Sequence, residues 1–270
     1  MKTLEQREPR SGGVRTRLPS GVPSTPTACH AVEFPVSRST FSQDDARLEN
    51  PAYAALSGAH SRFAERSGRA LRYPADVAPF LALPSDASRT DWRDAIELVP
   101  PGAVAATIDD RGGLPDSLQV THTFEAVQMI GEHTAGAHDP EAVTLGSTDV
   151  PEMMELVRLT EPGPFLQRTI ELGKYLGIRR EGALVAMAGE RLRFDGWTEI
   201  SAVCTASAYR GHGLASRLVS SLVADIQHRS ERVFLHVLTA NTGAIRLYEG
   251  LGFRARRSRM ISVLTRATDD

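Results

Sequence analysis

The chain has 270 residues, which is enough for one large domain or two domains of ordinary size. Its hydrophobic fraction of 41% and charged fraction of 24% are typical of a soluble globular protein. A formal net charge of −2 argues against broad electrostatic attraction to nucleic acid or to an anionic membrane. The chain has no run of about eighteen apolar residues and no apolar secretion signal, and its two cysteines form no metal or disulfide pattern. A cytoplasmic protein that needs no metal is therefore expected.

Composition divides the chain into three parts. Residues 1–43 are rich in Arg, Ser, Pro, Gly and Thr and poor in large apolar residues, which predicts a disordered extension. Residues 44–140 are predicted to form an α/β domain without a chemical motif, serving as a packing partner or as a wall of the acceptor pocket. Its predicted elements are helices over 51–56 and 91–98, a short strand or loop piece over 73–83, a strand over 103–108 and one or two strands over 118–130.

Residues 141–270 have a clearer pattern, which predicts a mixed α/β sheet with antiparallel hairpins beside a strand–helix–strand unit. A polar linker over 133–140 precedes this part. The expected elements are a strand over 142–145, a helix over 150–159, a hairpin over 175–188, a strand through Glu199, an amphipathic helix with Leu214, Leu218, Leu222 and Ile226, a strand over 233–238, a helix after Asn241 and a final strand around Met260–Leu264.

The turn Arg210-Gly211-His212-Gly213-Leu214-Ala215 separates the Glu199 strand from the amphipathic helix. The N–H groups at a helix N-terminus have no intrahelical partner and carry partial positive charge, so they can bind phosphate. Gly213 would let the backbone approach such an anion closely. The turn lacks the lysine of a P-loop and the third glycine of a dinucleotide-binding loop.

The turn and a second motif together resemble the GNAT superfamily of N-acyltransferases. Arg210, Gly213 and Ala215 match its acyl-CoA motif, Gln/Arg-x-x-Gly-x-Gly/Ala. The second signature, Asn-x-x-Ala-x-x-x-Tyr-x-x-x-Gly-Phe, is matched at every specified position, namely Asn241, Ala244, Tyr248, Gly252 and Phe253. The resemblance covers residues 141–270 and implies a mainly antiparallel sheet flanked by helices. Members related to glycine N-acyltransferases are similar in layout, so residues 44–140 could be a smaller, degenerate GNAT-like domain.

The resemblance also implies how acetyl-CoA would bind as co-substrate. The strand with Glu199 is expected to splay from the next strand at a bulge, leaving a gap for the pantetheine arm. The resemblance assigns the binding of acetyl-CoA to backbone groups, to the phosphate turn and to the Asn241 side chain. The residues concerned are Val203, Cys204, Thr205, Arg210, Gly211, His212, Gly213, Leu214, Ala215, Ser216 and Asn241. The Val203 N–H would polarise the thioester carbonyl.

Two residues are candidates for proton transfer. Glu199 lies eleven residues before Arg210, the offset of the general-base glutamate in histone-acetylating members of the superfamily, and partial burial is expected to raise its pKa. The alternative is a glutamate at a strand start that points to solvent. Tyr248 is the candidate general acid for the thiolate, and its alternative is a core aromatic residue. Cys204 has no histidine at motif spacing, so direct attack in a ternary complex is expected.

Other polar residues are assigned weaker roles. His236 is expected to be a core histidine with satisfied hydrogen bonds. The basic cluster Arg254, Arg256, Arg257 and Arg259 could meet an acidic acceptor or the CoA 3′-phosphate, but the solvated face of an edge strand is the more common structure for such a run.

The predicted function is transfer of an acetyl group to a primary amine of a small molecule, such as an amino acid or a derivative. The segment Thr160–Phe165 lies where GNAT acceptor loops lie and is rich in Pro and Gly. Two alternatives stay open, which are a protein amine as acceptor and a non-catalytic CoA-binding scaffold or sensor. The acceptor, the acyl length and the oligomeric state are left open by the sequence.

Overall fold

The structure is a computed structural model that describes residues 43–108 and 114–268. All of these residues belong to one compact unit, Val36–Asp270. The predicted disordered extension, apart from its last residue, lies outside the described residues.

Capping side chains mark the start of two helices, and an apolar stripe marks the buried face of a third. The Asn50 side chain accepts a hydrogen bond from the Tyr53 N–H, and Ser88 and Asp91 cap one another reciprocally. The apolar residues at four-residue spacing after Gly213 are all buried, as predicted. The α-helices of the described residues are α1 (Pro51–Ser57), α2 (Arg89–Leu98), α3 (Val150–Thr160), α4 (Leu214–His228) and α5 (Thr242–Gly250).

The strands form a small sheet and a large sheet. The small sheet holds β1 (Glu65–Ser67), β2 (Ala70–Arg72) and β3 (Leu81–Ala82). The strands of the large sheet are β4 (Val104–Ile108), β5 (Leu118–Ile130), β6 (Val143–Leu145), β7 (Tyr175–Arg180), β8 (Ala183–Phe194), β9 (Trp197–Thr205), β10 (Arg232–Leu238) and β11 (Arg254–Arg266).

The large sheet has the order β4-β11-β5-β10-β9-β8-β7-β6. Among its described strands only the β9–β10 pair is parallel, and the other neighbours are antiparallel. The predicted fold class, a mixed and mainly antiparallel sheet flanked by helices, is thus confirmed.

β5 lies between β10 and β11 and pairs with both along much of its length. Residues 44–140 and 141–270 therefore share one sheet. The domain boundary predicted near residue 140 stays a prediction, as does the origin of residues 44–140 as a degenerate copy. The final strand is longer than predicted, because β11 pairs with β5 over most of its length and with β4 at its end.

Different parts of the chain cover the two faces of the large sheet. Thr198 of β9 donates to Glu231, which lies just after the end of α4 (2.6 Å), whereas the next residue of β9, Glu199, is ion-paired with Arg191 (2.7 Å). Since neighbouring strand residues point to opposite faces, α4 lies on one face and Glu199 on the other. Apolar residues between Leu48 and Ala82 pack over the Glu199 face, and α3 packs on the same face nearer β7.

Candidate active site

The predicted phosphate turn lies at the N-terminus of α4, directly after β9 and a short 3₁₀ helix. Gly211 and Gly213 have φ angles of 83° and 71°, in the left-handed region that favours glycine. No atom of the described chain lies within 4 Å of the position that a Cβ would take at either glycine. The turn is therefore open on this side, and a ligand can approach its backbone.

The first turn of α4 offers N–H groups with no acceptor inside the helix, and the helix dipole adds partial positive charge there. Leu214 is buried and anchors the helix, while Ala215 and Ser216 are half-buried. The exposed Arg210 donates through Nε to the Thr205 carbonyl (3.2 Å). The seven predicted turn residues, Arg210 to Ser216, thus lie together at one helix end that can bind an anion.

A cleft opens where β9 and β10 separate. Among residues 43–108 and 114–268 the two strands pair only from Arg232↔Trp197 to Phe234↔Glu199, and beyond that point β9 pairs with β8 alone while β10 pairs with β5 alone. A bulge lies in β9 just past this point, because its register with β8 shifts between Ser201 and Cys204 and Ala202 has a φ of 52°. The predicted splay and bulge are both present.

Three predicted residues lie on β9 beside this cleft. Val203 and Thr205 are half-buried, so part of their surface faces outward, whereas Cys204 is buried. Burial raises the pKa of Cys204 to about 11, so its thiol stays protonated near neutral pH. This agrees with the expectation that Cys204 is no nucleophile.

Tyr248 and Asn241 belong to α5, which follows β10. Tyr248 is buried and packs edge-on against Phe253, with ring centroids 5.8 Å apart. Burial, with a smaller contribution from the nearby Cys204, raises the pKa of Tyr248 above its ordinary value. The Asn241 side chain accepts a hydrogen bond from the Ala244 N–H (3.1 Å), as its predicted N-cap position requires.

Glu199 is completely buried at the closed end of the cleft. Its carboxylate accepts two hydrogen bonds from Arg191, at 2.8 and 2.7 Å, and lies 2.7 Å from His236 Nδ1. Burial alone would raise the pKa of Glu199, but the charge and hydrogen bonds of Arg191, helped by His236, outweigh it and lower the pKa to about 2.

The expectation of a raised pKa for Glu199 is thus wrong, because the pKa is lowered. The alternative of a side chain that points to solvent is wrong as well, because Glu199 is completely buried. The cause of the lowered pKa is Arg191, which lies in a bulge of β8 where Arg191 and Leu192 stand opposite Glu199. The guanidinium also lies over the Phe80 ring, 5.1 Å from its centroid.

His236 continues this network towards β5. The Gln128 Nε2 lies 3.2 Å from His236 Nε2, and Arg256 donates to Gln128 Oε1 (2.8 Å). Because Arg256 can only donate, it fixes the Gln128 amide with Nε2 as the donor towards His236 Nε2. His236 must then carry its proton on Nδ1 and donate it to Glu199. His236 is a histidine with both nitrogens satisfied, as predicted.

The expectation of a solvated face for the basic cluster is wrong for two of its four arginines. Arg256 and Arg259 are buried, whereas Arg254 and Arg257 are exposed. Glu49 forms ion pairs with Arg256 and Arg257, and Arg259 donates to the Leu48 carbonyl. The two buried arginines thus hold the segment before α1 against the sheet, and the four arginines do not form one exposed surface.

The sequence interpretation missed Arg191 as the partner of Glu199, Gln128 as the partner of His236, and Tyr175. Arg191 follows the predicted hairpin and has two other charged residues close by, Glu190 and Arg193, so no local signal distinguished it. No local signal links Gln128 to His236 either, because β5 and β10 are distant in sequence and their pairing is not encoded locally.

The lowered pKa of Glu199 has a consequence for acid stability. A carboxyl whose folded-state pKa is about 2, below its ordinary 4.5, stabilises the fold above pH 4.5, and this stabilisation is lost as the pH falls towards 2. The unfolding free energies of wild type and Glu199→Gln are therefore expected to differ most above pH 4.5 and to converge towards pH 2. Urea unfolding at a series of pH values measures this, and a constant difference would contradict it.

Among residues 46–108 and 114–268 no group of three or more His, Cys, Asp or Glu side chains is arranged to hold a metal ion. In the same part of the chain no helix has the length and apolarity needed to cross a membrane.

Comparison with known proteins points to one family. The model of the FR47-like protein family matches residues 175–262, which include β9, the turn and α5. A GNAT-family protein from Novosphingobium aromaticivorans, assigned as an acetyltransferase, has a crystal structure that is 36% identical. The alignment covers 82% of this chain and 99% of that chain, with a TM-score of 0.76. No curated protein matches the sequence.

Two more distant structures have the same fold. A GCN5-related N-acetyltransferase from Kribbella flavida is 15% identical over 83% of this chain and 94% of its own, with a TM-score of 0.53. A GCN5-related N-acetyltransferase-like protein from Streptococcus suis is 15% identical over 82% of this chain and 97% of its own, with a TM-score of 0.51.

Proposed function

Because this chain belongs to the GNAT family, we propose that it transfers an acetyl group from acetyl-CoA to a primary amine of a small molecule. One observation carries the proposal: an open anion-binding turn at the α4 N-terminus lies at the end of the strand that splays from its neighbour. A long thioester with a phosphate-bearing end requires both features, since the turn can hold the phosphates and the cleft the pantetheine arm.

The fit of acetyl-CoA rests on backbone groups. In this proposal the N–H groups from Gly211 to Ser216 hold the pyrophosphate, and the backbone of Val203 and Thr205 binds the pantetheine arm. Within the described part of the chain, β9 has no partner strand on the β10 side beyond Glu199, so its outward backbone groups can pair with such a ligand. Arg210 and His212 are exposed beside the turn and can add charge or hydrogen bonds to the phosphates. Asn241 is assigned to the thioester end of the arm.

Two groups are assigned to the acetyl transfer itself. The Val203 N–H follows the bulge residue Ala202 and is assigned to the developing negative charge on the thioester oxygen. Tyr248 is assigned as the acid that protonates the departing thiolate, which its place near Cys204 supports, and its raised pKa keeps the phenol protonated before the transfer. The acetyl group would pass directly to the amine, because Cys204 beside the cleft is protonated and buried.

Glu199 remains the proposed base, and its burial determines how a proton from the amine would reach it. Its side chain is completely buried and already accepts three hydrogen bonds, so an amine cannot reach it without intervening water. A carboxylate with a pKa of about 2 is a weak base. Glu199 therefore stays negatively charged near neutral pH, and this charge would act mainly by attracting the proton that leaves the amine.

A small acceptor is favoured by the cover over the Glu199 face. Apolar residues of α1 and of the segment around β2 and β3 pack over this face next to β8, and α3 with Phe165 closes it near β7. An extended protein segment needs an open groove, whereas the described residues cover this face beside Glu199. An amino acid or a derivative is therefore the proposed acceptor class.

The proposal is tested by thiol release from acetyl-CoA with a panel of amines. The panel contains the twenty amino acids, glycinamide, putrescine, spermidine and a lysine-containing peptide. Release that depends on a small amine is expected. Release with the peptide alone would support a protein acceptor, and binding of acetyl-CoA without any release would support a CoA-binding scaffold.

Replacement of Tyr248 by phenylalanine tests the assigned acid. The ring contact with Phe253 is kept and only the hydroxyl is lost, so turnover is expected to fall by roughly 100-fold while acetyl-CoA affinity is retained. Steady-state kinetics and calorimetry measure the two quantities. Unchanged turnover would leave Tyr248 as a packing residue.

A further inference from the structure

Tyr175, the first residue of β7, has a buried hydroxyl that no other group satisfies. The residue is 1% exposed, and its hydroxyl has no hydrogen-bond partner among the described residues. Leaving such a buried group unpaired destabilises the folded protein. Tyr73 is equally buried, but its hydroxyl lies 2.8 Å from His60 Nδ1. The orphan hydroxyl of Tyr175 therefore requires an explanation that Tyr73 does not.

The position of the ring directs this hydroxyl towards the candidate site. Tyr175 stands opposite Gly189 of β8, and Gly189 stands opposite Ser201 of β9. A Cβ on Gly189 would lie 2.2 Å from two ring carbons of Tyr175, so the ring occupies the space above the glycine. Strands are about 4.8 Å apart, and a phenol that crosses β8 in this way ends near β9.

The surroundings of that end belong to the proposed site. Ser201 is half-buried, lies two residues from Glu199 on the same strand and directly precedes the bulge residue Ala202. Burial raises the pKa of the Tyr175 phenol above its ordinary value. Arg191 and Glu199 are also close enough for their charges to act on the phenol. The phenol is thus protonated and neutral where an acceptor would meet the cleft.

Phe165 packs against the ring of Tyr175. The two rings meet edge-on, with centroids 5.3 Å apart, and Phe165 is itself buried. The residues just before it form an exposed turn in which Glu161 and Gly163 have positive φ angles, 47° and 119°. Neither this turn nor Phe165 belongs to a strand, so both can shift while the pairing of the sheet is kept.

We infer that the Tyr175 hydroxyl binds the amino group of the acceptor once Phe165 moves aside. The inference rests on the proposed function. The phenol oxygen accepts an N–H of a neutral primary amine, and the nitrogen lone pair stays free for attack. Tyr175 is therefore a specificity residue for amines.

The substitution Tyr175→Phe tests this directly, because it keeps the ring over Gly189 and its contact with Phe165 and removes only the oxygen. With the best amine of the panel, the KM for the amine is expected to rise by about five- to tenfold, the loss of one hydrogen bond. The KM for acetyl-CoA is expected not to change. The unfolding midpoint is expected to stay or to rise, because the hydroxyl makes no hydrogen bond in the free protein.

Tyr73→Phe is the matched control. It removes a buried hydroxyl that has a partner, so it is expected to lower the unfolding midpoint and leave the KM for the amine unchanged. If Tyr175→Phe also leaves this KM unchanged while the wild type releases thiol, the inference is wrong and the proposed function stands. If the wild type releases no thiol with any amine of the panel, the proposed function fails and the inference fails with it.

Discussion

Replacing Gly213 with glutamate is expected to abolish measurable binding of acetyl-CoA. The substitution puts a carboxylate at the N-cap of α4, on the side where the turn is open. Two like charges about 4 Å apart near a protein surface repel by about 4 kcal/mol, which corresponds to roughly a thousandfold loss of affinity. Isothermal calorimetry with the purified variant measures this loss.

Gly196→Glu separates the charge effect from backbone strain. Gly196 has a φ of 74°, lies in an exposed turn and has no described atom within 4 Å of a Cβ position, as at Gly213. Gly196 precedes β9 and the phosphate turn follows β9, so the length of this strand puts the two sites about 25–30 Å apart. Its glutamate variant should bind acetyl-CoA like the wild type. Equal binding by both variants would show that the α4 N-terminus does not hold the phosphates.

The second large effect is expected from Arg191→Met. Arg191 and Glu199 form a bidentate ion pair that is almost completely buried. Removing one partner of such a pair leaves an uncompensated buried charge, which costs about 3–5 kcal/mol. The free energy of unfolding at neutral pH, measured in urea, should fall by this amount, although methionine keeps much of the side-chain volume.

The double variant Arg191→Met/Glu199→Gln is the control, since it removes the stranded charge as well. It should recover a substantial part of the lost stability. Without Arg191, burial would dominate and raise the pKa of Glu199 above its ordinary 4.5. The deficit of the single variant relative to the double variant should therefore shrink as the pH falls and Glu199 becomes neutral. A single variant as stable as the wild type would contradict the importance of this pair.

Local patterns in the sequence were sufficient for the elements around the turn. The four-residue spacing that begins at Leu214 predicted α4, and Asn241 marked the start of α5. The hairpin of β7 and β8 was predicted around Glu181 and Gly182, and both have the positive φ angles of a tight turn. These features depend on residues close in sequence, so propensity and capping decide them.

The environment of Glu199 could not be derived in the same way. Residue alternation predicts which face a side chain occupies only while the strand register is unbroken, and a bulge in β8 turns Arg191 towards Glu199. The sequence therefore supported a partly solvated glutamate with a raised pKa, and the structure has the opposite. The placement of β5 between β10 and β11 is equally non-local, and it accounts for the buried arginines of β11.

Whether the chain acetylates an amine is decided most directly by mass spectrometry of the amine panel after incubation with isotopically labelled acetyl-CoA. We predict that the wild type forms an amine that carries one labelled acetyl group, and that Gly213→Glu forms none above the protein-free reaction. A wild type that binds acetyl-CoA in calorimetry but labels no amine of the panel would contradict the proposed function.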